Sequence, residues 1–473
     1  MHNKPDTNSR YRFRFRDAAR GIQPKNRAGA DDAFIDWYLN DDAVAQAFTT
    51  RLPRDLAGLE DIACTVYLAD RLARRPSPNR GEHEEGWGRD LHLQVPVADP
   101  LRWSDVRLVD QLRDLLWLET NDRWSFEFVE RQTLRSAELV EPLFRMPLRA
   151  GARAALFSGG LDSLAGLCID LVERPDQDFV IVSVRTNDRI GAVQDQLMVA
   201  VRDRFGRAQR ELVHVAINIG FGQDSHHFDN EERSQRSRGF LFVILGAVAA
   251  LAAGAETLAV YENGIGAINL PQAATQYGAQ NSRATHPRAL SAVQQLVRNA
   301  SGRPFAIDLP HLFMTKAQMC ALLADLGLAP LAGLTVSCDG FPQRVRGQPQ
   351  CGVCGSCLLR RQALHAGGIG EFDDPSQYRK DVMDSKTALK SGQLYSFNAM
   401  LYQRDSIARA LASTEPWKAL ATRFPGLLDV LPYVGVCSGA PLFSESDLVA
   451  LYRRYCEEWD RVPLAPALAG LAA

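Results

Sequence analysis

No stretch of this chain is apolar enough, over enough length, to cross a bilayer. The most hydrophobic run, residues 240–253, is too short and reads as a buried helix. The N-terminus, MHNKPDTNSRYRFRFRDAARG, is basic but lacks the apolar core of a secretory signal. Neither charge sign dominates. Lys plus Arg number 54 and Asp plus Glu 56, and a net charge of −2 gives no global attraction to nucleic acid. Nine cysteines in 473 residues do not make a disulfide scaffold. Three of them crowd into residues 351–357, which points to a metal held in a reducing, cytoplasmic setting. No self-similarity recurs at the periods of solenoid proteins.

What is present is an ordinary globular composition, 46% apolar and 23% charged, in a chain long enough for two or three domains. Residues 1–30 are polar and arginine-rich and read as a mobile arm. Residues 31–146 read as an α+β accessory module. Asp61–Arg74 is patterned as a helix, with Ile62, Val66, Leu68 and Leu72 on one face. His92–Val97 and Trp124–Val129 alternate like strands, and Val106–Leu118 looks helical. Residues 147–377 change to alternating strands and helices. Apolar runs at Ala154–Phe157, Phe179–Val184, Glu211–Ile217 and Thr257–Tyr261 are separated by helical segments at Asp162–Leu171, Gln194–Arg204 and the 240–253 run. That pattern implies an α/β fold with a parallel sheet covered on both faces. Residues 378–473 read as a helical region, with Ser444 a candidate cap for the last helix.

The first motif follows the first of those strands: Ser158-Gly159-Gly160-Leu161-Asp162-Ser163. A buried strand, a glycine turn and a helix start form an anion site, because the helix N-terminus presents unpaired amides. Gly159 and Gly160 let those amides approach phosphate oxygens, and Ser158 and Ser163 add hydroxyls. Asp162 cannot bind phosphate but can help hold the Mg²⁺ that a nucleoside triphosphate carries. No Gly-Lys-Ser/Thr follows, so this is not a Walker loop. The second motif is Cys338, then Cys351-Gly352-Val353-Cys354-Gly355-Ser356-Cys357. Four thiolates at these spacings can close a tetrahedral zinc site, and the spacing also admits an iron–sulfur cluster. Cys64, Cys168, Cys320, Cys437 and Cys456 read as scattered residues without a shared site.

The six-residue loop resembles the PP-loop of ATP pyrophosphatases. Taken with the cysteines, it resembles the QueC family, the 7-cyano-7-deazaguanine synthases, over about residues 150–370. The resemblance also takes in Arg238 at the head of the buried helix, the Thr315-Lys316-Ala317 step, and Ser337 and Arg360 beside the cysteines. It implies a PP-loop sheet, ATP, Mg²⁺ and Zn²⁺ as cofactors, Ser158 to Ser163 on ATP, and Asp162, Lys316 and Arg238 as catalytic residues. Two family motifs differ. Arg185-Thr186-Asn187-Asp188-Arg189-Ile190-Gly191 stands where synthases carry Tyr-Gly-Gln, and Tyr261-Glu262-Asn263-Gly264 opens the place of a Tyr-Pro-Asp-Cys-Arg segment. With the added terminal regions, the chain is more similar to the QueC-like proteins of bacterial anti-phage operons, the QatC and type IV CBASS kind.

That resemblance implies a ligase-type enzyme. ATP would adenylate a 7-deazapurine carboxylate, and an amine, preferentially of a protein, would take the acyl group in antiviral defence alongside operon-encoded partners. Glu262, Asn263 and Gly264 are the candidate substrate residues, since a carboxylate can accept two hydrogen bonds from a purine edge. A free 7-cyano-7-deazaguanine synthase-type enzyme is the alternative. A tRNA-modifying PP-loop enzyme or a non-catalytic ATP-sensing subunit stands behind it. A thiolase would need a free catalytic cysteine and a basic face; the basic run Arg233–Arg238 is offset by Glu231 and Glu232. His226-His227 read as loop, and His286 and His311, each beside a proline, as structural residues.

Overall fold

The computed structural model describes residues 10–16, 21–24, 35–48, 50–75, 88–139, 148–149, 151–222, 232, 234–272, 283–341, 347–384, 391–438 and 443–462. Among them ten strands join in one sheet. They are β1 (Arg10–Phe15), β2 (Gly21–Pro24), β3 (Ile35–Leu39), β4 (Asp90–Val97), β5 (Arg123–Glu130), β6 (Arg153–Leu156), β7 (Phe179–Arg185), β8 (Leu212–Phe221), β9 (Thr257–Ala259) and β10 (Ala306–Asp308). Their order is β10-β9-β6-β7-β8-β3-β2-β1-β4-β5.

The half running from β10 to β8 is wholly parallel. Its central strand, β6, faces Ile181 of β7 and Ala259 of β9 through the single residue Ala155. The chain leaves β6 toward β7 and later returns to β9 on the other side. That reversal opens a crevice beyond the carboxyl end of β6, where Ser158 lies. The small Ala154 and Ala155 admit helices closely on both faces of the sheet. Leu161–Glu173 packs so tightly that a Cβ on Gly166 would lie 2.4 Å from Tyr261. Arg238–Ala252 covers the opposite face, buried almost throughout as its composition predicts.

β10 has no counterpart in the sequence reading. Ala306-Ile307-Asp308 holds one strongly apolar residue, too little to make a pattern, and it is a strand only because β9 supplies its partner. The segment Asp188–Phe205 begins before the expected Gln194, because the Asn187 side chain accepts from the Arg189 amide and caps it.

The expected mobile arm at 1–30 differs more. Arg10–Phe15 is a strand, paired in parallel with β4 and antiparallel with β2. Arginine and aromatic residues alternate there with period two, so Phe13 and Phe15 enter the core while Arg10, Arg12 and Arg14 face solvent. The region expected as a separate accessory module continues the central sheet. β3 pairs antiparallel with β8, setting Trp37 opposite Phe221, and one apolar core runs through both regions. Arg54–Leu72 begins before the expected Asp61 and is buried nearly all round, since it packs against Arg238–Ala252. Its buried Glu60 and Asp61 are met by Arg135.

After the cysteines come Ser391–Leu411, Pro416–Arg423, Leu431–Ser438 and Glu445–Trp459. The Ser444 amide donates to the Asp447 carboxylate (2.8 Å), completing the cap expected there. No helix among the described residues is long and apolar enough to cross a membrane.

Candidate active site and metal centre

The turn after β6 is shaped by Gly159, whose φ of +83° a side chain would strain. Its carbonyl accepts from the Val336 amide (3.2 Å), tying the turn to the segment that leads into Cys338. The Gly160 amide donates to Ser158 Oγ (3.2 Å) and the Leu161 amide to Ser337 Oγ (3.3 Å). Two amides at the head of Leu161–Glu173 are thus held by hydroxyl oxygens, where an anion's oxygens can replace them. Ser163 turns inward and donates to the Gly160 carbonyl (3.0 Å), bracing the loop. Buried Gln194 braces it from outside, donating to the carbonyls of Phe157 (3.3 Å) and Ser158 (3.4 Å).

Asp162, one residue into the helix, is the hub. Its Oδ2 lies 2.7 Å from Lys316 Nζ, and its Oδ1 accepts from Asn263 Nδ2 (3.0 Å). Lys316 begins Lys316–Asp325, which Thr315 and Gln318 cap reciprocally. Burial pulls the Lys316 ammonium toward losing its proton, but the carboxylates of Asp162 and Glu262 hold its pKa above the ordinary value. Glu262 follows β9. Burial, and then the negative charge of Asp162, push its carboxyl up to about 8 despite Lys316. The site therefore holds a charged lysine beside Asp162 and a glutamic acid that keeps its proton at neutral pH.

These groups line a cavity of ≈ 730 Å³ together with Ser158, Gly160 and Arg238. A second hollow of ≈ 600 Å³ shares Ser158, Arg238, Phe242 and Glu262 with it. Arg238, first residue of Arg238–Ala252, thus stands where the two meet. The turn before it is fixed from the N-terminal region: Asp70 accepts from the Ser237 amide (2.9 Å) and hydroxyl (2.8 Å).

The four sulfurs of Cys338, Cys351, Cys354 and Cys357 lie within 4.8 Å of one another. Cys351 and Cys357 are 3.9 Å apart, Cys354 and Cys338 4.0 Å. Tetrahedral zinc–thiolate geometry asks for about 3.8 Å. Backbone amides of Gly340 and Cys351 donate to Cys338 Sγ (both 3.4 Å), as thiolate ligands accept. The residues fit a closed structural zinc centre. Gly352 allows it, having a φ of +79° and an inner face where a Cβ would lie 1.8 Å from the Lys380 carbonyl. Cys338 and Cys354 also line the larger cavity, so the centre forms one of its walls.

Among the expected substrate residues, Glu262 faces the cavity. Asn263 is buried and caps Gly264–Ile268 while holding Asp162. Gly264 packs on the chain, where a Cβ would lie 2.0 Å from the Leu312 carbonyl. Arg185 is engaged with Gln194 (3.1 Å) and Asp195. His286 accepts from the Arg288 amide and caps its helix, and His311 is buried beside the Tyr261 ring. Glu231, Arg233, His226 and His227 lie outside the described residues. Gln194, Asp70 and the cavity-lining residues of the last helices were not legible in the sequence, because each reaches the site from a distant element.

A parallel β10-β9-β6-β7-β8 sheet, with a Ser-Gly-Gly turn at its reversal point and a four-cysteine centre beside it, defines a PP-loop-type α/β protein. A family profile described as "Queuosine biosynthesis protein QueC" matches residues 255–368. The chain is 30% identical over 248 residues to a 7-cyano-7-deazaguanine synthase of Legionella pneumophila (strain Paris), covering 48% of this chain and 96% of that protein. It is 36% identical over 103 residues to the 7-cyano-7-deazaguanine synthase of Methylobacillus flagellatus, covering 21% of this chain and 42% of that one. A Cupriavidus metallidurans synthase is 38% identical over 78 residues, 16% of this chain and 31% of its own length. The chain belongs to the QueC family. It spans less than half of the Methylobacillus and Cupriavidus relatives it matches.

Proposed function

We propose that this protein uses ATP to activate a 7-deazaguanine-type carboxylate and passes the acyl group to an amine, preferentially of a protein, in anti-phage defence. The observation that carries the reading is the Lys316–Asp162 pair, 2.7 Å apart, at the mouth of the Ser-Gly-Gly turn. A carboxylate oxygen attacks the α-phosphorus of ATP, the α–β phosphoanhydride bond breaks, and pyrophosphate leaves. The amine then attacks the acyl carbon, an amide bond forms, and AMP departs as the amine proton passes to a base.

The chain's own groups suit those steps. Pyrophosphate oxygens replace the Ser158 and Ser337 hydroxyls on the Gly160 and Leu161 amides, with helix-end electrostatics favouring the anion. Arg238 and Lys316 offset the charge that grows in the transition state. Each oxygen of Asp162 keeps a second lone pair, with which it can meet the Mg²⁺ that ATP carries. Zinc, where the four thiols hold it, fixes the cavity wall. Glu262, carrying its proton, offers the polar edge of the heterocycle one O–H donor as well as acceptor oxygen. The protein acceptor is supported by the altered Arg185–Gly191 and Tyr261–Gly264 segments and by terminal regions beyond the matched residues.

The alignment along 96% of a Legionella synthase favours a second product, a free amide or nitrile. A thiolase reading finds little support, since burial pushes the Cys168 and Cys320 thiols up to about 12, away from the thiolate. Purified protein with Mg-ATP and 7-carboxy-7-deazaguanine should release AMP and pyrophosphate. Intact mass of co-expressed partner proteins separates a modified protein from a free product. Absence of AMP and pyrophosphate in both settings overturns the enzyme reading in favour of a sensing subunit.

A further inference from the structure

Asn263 is fully buried at the head of Gly264–Ile268, and all of its amide capacity is used. Its Oδ1 accepts from the Ile265 amide (3.0 Å) and the Gly266 amide (3.1 Å). Its Nδ2 donates to Asp162 Oδ1 (3.0 Å) and to Glu262 Oε1 (2.8 Å). A side-chain amide has two N–H donors and two acceptor positions, so nothing is left over for a ligand. The main chain beside it is held as firmly. The Gly264 amide donates to the Met314 carbonyl (2.9 Å), one residue before the Thr315 cap of the Lys316 helix.

Two carboxyl groups and one ammonium share this space. Asp162 and Glu262 both lie within the field of Lys316, and the ion pair, at 2.7 Å, is with Asp162. Acidic groups this close compete for one cation. Asn263 settles the competition. It holds Asp162 by Oδ1, the oxygen that Lys316 does not use. It draws Glu262 back toward the main chain, where the Asn263 backbone amide also donates to Oε1 (3.2 Å). Gly266 leaves room for that pose, since a Cβ there would lie 2.4 Å from Glu262 Oε1.

We infer that Asn263 is a positioning residue that decides which carboxyl group the site lysine pairs with, keeping Lys316 and Asp162 together at the triphosphate turn and Glu262 apart for the second substrate. This rests on the ATP reading proposed above. Asn263 touches neither ligand and acts through the two acids. With its donors gone, Glu262 can swing onto Lys316, and Asp162 loses its orientation and part of its cation.

The test reads Mg-ATP affinity by calorimetry, with no carboxylate substrate present, beside thermal melting. Asn263→Ser keeps a capping oxygen and loses both bridges. Asn263→Asp keeps the shape and the cap and sets a third carboxyl between the other two, and it serves should serine loosen the loop. Each should weaken Mg-ATP by about 10- to 100-fold, the worth of a hydrogen bond to a charged group. The deciding comparison is the Glu262→Gln background, where no second acid competes for Lys316. There the loss on Asn263→Ser should be at least about 5-fold smaller than in wild type, as coupled neighbours behave. Equal losses in the two backgrounds show a cap that merely supports the loop and overturn the inference. So does unchanged Mg-ATP affinity in both single variants, whatever their melting temperatures. If wild type itself does not bind Mg-ATP, the ATP reading falls and the role assigned to Asn263 falls with it.

Discussion

The hydroxyl of Thr315 donates to the carboxylate of Glu458, a residue 143 positions away in the last helix. The same hydroxyl accepts from the Gln318 amide (3.1 Å), so one atom caps the Lys316 helix and docks it onto the C-terminal region. Glu458 Oε2 also accepts from Gln362 (3.4 Å), which follows the last cysteine on its helix. One buried carboxylate therefore links the lysine of the site, the metal centre's helix and the cavity wall.

Glu458→Ala should lower thermal stability and slow exchange, since the cap hydroxyl loses its acceptor. A lost buried hydrogen bond to a carboxylate is worth about 1.5–3 kcal/mol. Glu458→Gln keeps an acceptor and should restore most of the rate. Melting curves and exchange assays on both variants check this, and equal rates in all three proteins would refute a positioning role.

Lys316→Met should reduce exchange by about 10²- to 10³-fold, the range for removing one preorganised stabilising group. It leaves Asp162 without its cation, so stability should fall as well. The double variant Lys316→Met/Asp162→Asn should regain stability without regaining activity. Recovery of activity in the double variant would show that the pair is structural.

Glu262 imposes a pH dependence whose sign is fixed. Its folded pKa, raised to about 8 from 4.5, means that the native state keeps a proton which the unfolded chain has released. Its stabilising contribution is complete below the unfolded value and is lost as pH rises through the folded one. Glu262→Gln removes that dependence. The melting temperature of the variant should therefore gain on wild type between about pH 5 and about pH 9, and a constant difference across that range would count against a protonated Glu262.

The cysteine centre should bind one zinc per chain. Stripping it with a chelator, or Cys351→Ser, should lower the melting temperature and raise the KM for ATP, because Ser337 beside Cys338 holds the Leu161 amide. Gly352→Ala should act in the same direction, its added Cβ colliding with the Lys380 carbonyl. Elemental analysis and nucleotide titration read both effects, and an unaltered KM for ATP in the stripped protein would separate the two sites.

The local chemistry was legible because it is contiguous. An apolar strand ending in Ser158-Gly159-Gly160 dictates an amide-lined turn whatever surrounds it, and Cys-x-x-Cys-x-x-Cys brings three thiols within reach of one ion. The strand–helix alternation likewise fixed the parallel sheet, since runs without polar residues must be covered on both faces. Tertiary structure decided what these pieces face. Arg10–Phe15 becomes a strand only because β4 and β2 offer it edges. Asn263 looked like a substrate residue and is instead a buried cap that holds Asp162. Lys316 and Arg238 are set by Glu458 and Asp70, each far away in the chain. Sequence pattern reports which face of an element must be buried. Which distant charge or hydroxyl meets it there depends on packing between elements, and no local periodicity encodes that.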